Sequence, residues 1–143
     1  MAHSTYRDKR DRTGFSLIEL SVVVILVGVL VAISVPHLLE NSERKKASES
    51  FKYLENVQTA QERYHAVHSQ YASGVKSLDL ERIAPTYFTV GPIVAEPGKT
   101  LEETWSLTLT RAGNSNRYGA YTVTFTQKGF DTQKSTVTPR VQP

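Results

Sequence analysis

Cysteine is absent from the chain, which removes disulfide bracing, thiolate metal sites and cysteine nucleophiles together. Charge is nearly absent from one long stretch. Across residues 15–35 the single ionisable side chain is Glu19, whereas the rest of the sequence alternates acids and bases at short intervals. A strong overall charge is also missing. The formal net charge is +3, and the first fourteen residues supply two of it, with Arg7, Lys9, Arg10 and Arg12 set against Asp8 and Asp11. The remainder is almost neutral, so bulk charge selects no partner. With 143 residues there is room for one domain. The uneven distribution of apolar residues describes a tethered protein with a polar body.

What is present begins with the apolar run. Its 21 residues would span roughly 31 Å as a helix, the thickness of a hydrocarbon core. Valine and isoleucine are frequent here, but in lipid a lone segment satisfies its backbone groups only as a helix. The basic cluster at 7–12 should stay cytoplasmic and place the C-terminal body outside. Two processing schemes cut this run at opposite ends. A secretory signal would be cleaved after Ser34, at the small-x-small triplet Ala32-Ile33-Ser34. That scheme leaves the run too long for an ideal signal core and gives Glu19 no purpose.

The other scheme rests on Gly14-Phe15-Ser16-Leu17-Ile18-Glu19-Leu20, which resembles the prepilin peptidase recognition sequence of type IV pilins and type II secretion pseudopilins. The resemblance implies cleavage between Gly14 and Phe15, then N-methylation of the new Phe15 amine. A glycine before the cut suits close backbone approach, because it has no Cβ. A carboxylate inside a membrane helix costs about 2.5–3.5 kcal/mol on insertion scales, so Glu19 is a functional candidate that should have a partner, with snorkelling to the cytoplasmic interface as the alternative. The resemblance supplies the Phe15 amine of a neighbouring subunit. That nitrogen is a neutral amide before cleavage, so maturation creates the partner. Pairing within one subunit stays open, since four helical residues separate the groups by about 6 Å of rise. Gly28 and Pro36 fall where many pilins carry a glycine and a proline. Proline removes a helical hydrogen bond and should bend the helix; the resemblance implies that 28–36 melts on packing into a filament, with a fixed kink as the alternative.

Beyond Pro36 the pattern becomes periodic. Leu54, Val57, Gln61, Tyr64, His68 and Tyr71 recur at spacings of three and four, with Ala47, Phe51, Ala60 and Val67 nearby, as in an amphipathic helix. Its polar face carries Glu40, Glu43, Arg44, Lys45, Lys46, Glu49, Lys52, Glu55, Glu62 and Arg63, either simply solvated or lining subunit contacts. The helix is expected to stop near Ser73-Gly74. Residues 75–104, broken by Pro85, Pro92 and Pro97, read as a surface connection with one short strand at 87–90. Trp105, Leu107 and Leu109 share one strand face and Tyr121, Val123 and Phe125 another, with a turn at 113–116 and a weaker third strand at 130–137. Such a meander needs a cover, and the amphipathic helix is the large apolar partner available.

Other chemistries fail on the residues. His65 and His68 with Glu62 give too few ligands for a metal. Gly98-Lys99-Thr100 lacks the upstream glycine of a phosphate-binding loop, since Ile93 stands there. Ser73 with Lys76, and Ser42 with Lys45, have serine-acylase spacing without companion motifs. Arg111, Arg117, Lys128, Lys134 and Arg140 offer a basic distal face, but the interleaved Tyr118, Tyr121 and Phe130 have strand spacing, so nucleic acid is not expected as a partner. Many pilins brace the C-terminal region with a disulfide and major pseudopilins often carry a late calcium loop; this chain has neither the cysteines nor, beyond Asp131, the late carboxylates.

The expectation is an α+β pilin fold, a long N-terminal helix packed on a small antiparallel sheet. It divides into a cytoplasmic leader (1–14), a transmembrane assembly helix (15–39), an amphipathic helix (40–73) and a loop and sheet region (74–143). The resemblance implies a non-enzymatic structural subunit of a type IV pilus-like filament for adhesion or motility, with no cofactor; a type II secretion pseudopilin or a minor pilin is the alternative. Its partners would be other copies of itself, the prepilin peptidase, the inner-membrane assembly machinery and the membrane. It would sit in the inner membrane and then in an extracellular pilus, or alternatively in a periplasmic pseudopilus. A membrane-anchored or secreted binding protein that never polymerises is the alternative of another class.

Overall fold

A computed structural model describes residues 14–113 and 118–143; the basic cluster at 7–12, most of the 113–116 turn and Arg117 lie outside the described residues. One helix, α1, runs Leu17–His68, through Pro36 without interruption. The chain divides after His37 into two units.

In the first unit the apolar part of α1 has no covered face. Every Val, Leu, Ile and Phe side chain from 15 to 35 is at least 45% exposed, so this is not the core helix of a water-soluble domain. Among the described residues it is the one stretch long and apolar enough to cross a membrane. Its serines are already satisfied internally, Ser21 Oγ donating to Ile18 O and Ser34 Oγ to Leu30 O, each at 2.7 Å, which makes them compatible with lipid.

In the second unit, Leu38–Pro143, α1 buries Glu43, Ala47, Ser50, Leu54, Val57 and Gln61, a stripe at spacings of three and four that the period of the helix demands. The stripe packs on an antiparallel sheet in the order β1 (Phe88–Val94), β2 (Ser106–Arg111), β3 (Thr122–Thr126) and β4 (Gly129–Phe130). Phe51 is the aromatic anchor, edge-on to Phe125 at 5.8 Å and against Phe130 at 4.9 Å. Trp105, Leu107, Leu109, Val123 and Phe125 complete the core from the sheet side.

Three boundaries differ from expectation. The helix stops at His68, because Ser69 takes the left-handed conformation (φ 55°) and its N–H closes on His65 O at 2.8 Å. The buried Gln61 amide then holds the returning chain, donating to Ala72 O at 3.0 Å and accepting from Ala72 N–H at 2.8 Å. The strand expected at 87–90 continues to Val94. Gly91 and Pro92 are absorbed by a bulge, where the register to β2 slips between Val90 and Ile93, and an edge strand tolerates a proline. Gly91 is required there, since a Cβ would lie 2.8 Å from Thr108 O. The third strand expected at 130–137 shrinks to Gly129–Phe130. Hydroxyls replace its ladder: Thr122 N–H donates to Thr136 Oγ1 at 2.8 Å and Thr124 N–H to Ser135 Oγ at 2.9 Å.

Candidate assembly site

Residues Gly14, Phe15 and Ser16 precede the first turn of α1, and Leu20 N–H donates to Ser16 O at 3.0 Å. Phe15 is 78% exposed. Glu19 occupies the first helical turn, where the unpaired amide dipoles favour a carboxylate. Among the described residues it makes no ion pair, and the helix end is what favours its charge there. Gly28 and Pro36 sit farther along the same helix. A side chain at Gly28 would meet nothing within 4 Å, so the notch it leaves faces outward, open to close approach by another helix.

The charges of the second unit are arranged differently from expectation. The sequence pattern puts Glu43 on the polar face of the helix and Arg111 on a basic distal face. Both are buried, 5% and 4% exposed, and they grip each other. Arg111 Nε donates to Glu43 Oε1 at 2.6 Å and Nη2 to Oε2 at 3.2 Å, while Tyr121 Oη donates to Oε1 at 3.0 Å. Arg111 Nη1 also donates to the carbonyls of Tyr87, at 3.2 Å, and Ala112. The network ties α1 to the ends of β2 and β3. Burial alone would raise the Glu43 carboxyl, but the Arg111 and Tyr121 hydrogen bonds and the nearby positive charges prevail and hold it below the ordinary value. Arg111 is pushed up by the Glu43 hydrogen bond, and Tyr121 is pushed up by burial and by the same carboxylate.

A phase signal for this pair existed. Glu43 lies one turn before Ala47 on the apolar stripe, and Arg111 is the next inward position after Trp105, Leu107 and Leu109. Residue type argued for solvent and periodicity for the interior; periodicity was right.

Other singled-out side chains do structural work. His65 stacks on Tyr71 at 4.4 Å and its Nε2–H donates to Glu102 O at 3.1 Å; His68 stacks on Tyr64 at 4.0 Å and its Nδ1–H donates to Tyr64 O at 3.0 Å. Lys134 Nζ lies between two carboxylates, 2.8 Å from Glu96 Oε1 and 3.6 Å from Asp131 Oδ2. The hydrogen bond to Glu96 raises the Lys134 ammonium and lowers the Glu96 carboxyl.

A long helix, exposed and apolar in its first part and laid on a four-stranded antiparallel sheet in its second, is the pilin-like α+β fold. Residues 9–35 match the family described as Prokaryotic N-terminal methylation motif. Similarity extends to the type IV major pilin protein PilA of Myxococcus xanthus, 37% identical over 41% of this chain and 27% of that protein. The type II secretion system core protein G of Vibrio cholerae is 31% identical over 54% of this chain and 53% of its own. The type IV wide pilus major component PilA4 of Thermus thermophilus is 32% identical over 48% and 53%. The chain spans about half or less of the length of these curated relatives. It carries the N-terminal methylation motif at residues 9–35, and its distant homologues are named type IV pilins and type II secretion protein G.

Proposed function

We propose that the chain is the structural subunit of a type IV pilus-like filament serving adhesion or motility, cut between Gly14 and Phe15, N-methylated at Phe15 and polymerised through residues 15–39. The carrying observation is the helix that leaves every large apolar side chain from 15 to 35 uncovered. Lipid covers it before assembly and the same segment of other subunits covers it afterwards. Glu19 pairs with the Phe15 amine of a neighbour, and Gly28 and Pro36 weaken the helix where the filament stretches. The processing peptidase and the inner-membrane assembly machinery are the partners this route requires.

A pseudopilus is the second reading, supported by the relatives named type II secretion core protein G. The pilus is favoured by the head itself, where the Lys134 ammonium already bridges Glu96 and Asp131 in the late region that a cation-binding loop would otherwise brace. Mechanical shearing of intact cells separates the two. Most of the mature chain is expected in the sheared surface fraction as filaments. Retention in the periplasm of sheared cells would assign it to a pseudopilus, and a monomer in the membrane fraction would make it an anchored binding protein.

A further inference from the structure

Leu38, Asn41, Ser42, Lys45 and Ser48 recur along α1 at spacings of three and four, so one face of the helix carries them all. With Arg44 they line an open groove of about 600 Å³. One end of it is apolar: Leu38 and its neighbour Leu39 are 66% and 52% exposed. Its middle is polar. The side chains of Asn41, Ser42 and Ser48 have no hydrogen-bond partner among the described residues.

The rim is cationic. Lys45 is exposed and makes no ion pair among the described residues. Arg44 donates through Nε and Nη2 to Arg140 O at 3.2 and 2.8 Å, which brings the exposed Arg140 to the same place. The acids of this stretch do not balance these charges. Glu40 lies 3.6 Å from Arg44, and Glu43 is held by Lys46 and, in the interior, by Arg111. Residues 44–46 follow the apolar run by about ten positions. Cations that close to the outward end of a span oppose the orientation that the 7–12 cluster favours, so a compensating anion is expected on the outer face.

We propose that in the membrane-inserted chain the 38–48 groove holds one anionic phospholipid of the surrounding bilayer. Its acyl chain lies along Leu38 and Leu39, its phosphodiester sits at Lys45, and Asn41 and Ser42 donate to headgroup oxygens. A lipid fits better than a soluble phosphate, because the exposed apolar end adjoins the polar one on a single helix face. Lys45 follows Leu39 by six residues, about 9 Å of rise. Helical side chains lean back toward the N-terminus, so the ammonium reaches toward the headgroup layer, which is roughly 5–8 Å deep on each side of a bilayer. The inference rests on the membrane-inserted stage of the proposed route and needs no filament.

Native mass spectrometry of the full-length chain, released from nanodiscs of equal phosphatidylglycerol and phosphatidylcholine, reads which lipid is retained. Phosphatidylglycerol should be retained in preference. Lys45→Ala should lower that preference by about fivefold, the weight of one cation at an anionic surface, and Lys45→Arg should keep it. Lys76→Ala removes an exposed cation next to Ser77, which shares a pocket with Ala60 and Arg63 near the other end of α1. It should change nothing, which separates a site from bulk charge. Equal retention of the two lipids, an unchanged preference in Lys45→Ala, or an equal loss in Lys76→Ala would overturn the site. Displacement of the lipid by millimolar inorganic phosphate would reassign the groove to a soluble anion and overturn it too. A parental chain that alkaline carbonate strips from vesicles refutes the membrane reading and the inference with it. An inserted chain without the preference refutes the inference alone.

Discussion

Replacing Glu43 by alanine is expected to destabilise the 38–143 unit by about 3–5 kcal/mol, the loss seen when one partner of a buried ion pair is removed. The variant leaves the Arg111 guanidinium, 4% exposed, without its carboxylate and removes the acceptor of Tyr121 Oη. For a unit of this size the melting temperature of the detergent-solubilised chain should fall by at least about 12 °C. Replacing both partners, Glu43→Leu with Arg111→Met, should recover most of the loss, because the pair's own desolvation penalty disappears with it. A Glu43→Ala melting point within about 2 °C of the parent would show that the network carries no stability.

The same network fixes the pH profile. The Glu43 carboxyl is lowered in the folded state from an ordinary value of 4.5, so its contribution is present above that value and is lost as pH falls through the folded one. The Tyr121 phenol is raised from 10.0, so its contribution is present below pH 10 and is lost as pH rises through the folded value. Stability should be flat between these limits and decline outside them, and Glu43→Ala should remove most of the acid limb.

Replacing Glu19 by alanine is expected to lower filament yield by roughly a hundredfold while the protein still inserts in the membrane. In lipid an unpaired carboxylate costs about 2.5–3.5 kcal/mol, and on the proposed assembly route the Phe15 amine of a neighbour relieves that cost. Alanine stabilises the lipid state by about that amount and offers nothing to the filament, and each 1.4 kcal/mol is about tenfold in the equilibrium. Sheared filament and membrane-inserted chain, quantified together, report the ratio. Parental filament yield from Glu19→Ala would mean that Glu19 merely complements its own helix end.

Legibility in the sequence followed the strength of the physical constraint. The 15–35 helix was readable because lipid permits one solution for an apolar run of that length. The Ala47, Leu54, Val57, Gln61 stripe and the alternation in β2 and β3 were readable because a half-buried element must repeat with its own period. Glu43 and Arg111 were misplaced because a charge ordinarily stays in water, and their pairing joins residues 68 positions apart, invisible to any local pattern. The extension of β1 was hidden by Gly91 and Pro92, which break a central strand but suit a bulged edge. The strand signal at 130–137 overran the two-residue β4, because Ser135 and Thr136 meet β3 through hydroxyls in place of a regular ladder. The roles proposed for Gly14 and Phe15 rest on the resemblance, since nothing in periodicity assigns a role to an exposed helix start, whereas Glu19 stood out as the lone charge in the apolar run.

Mass spectrometry of the mature N-terminus from native cells tests the central claim most directly. The account predicts a chain that begins at N-methylated Phe15, cut after Gly14. A chain beginning at Val35 would contradict it in favour of a secreted protein, and an intact Met1 on the assembled or membrane-bound protein would leave the helix as a plain anchor.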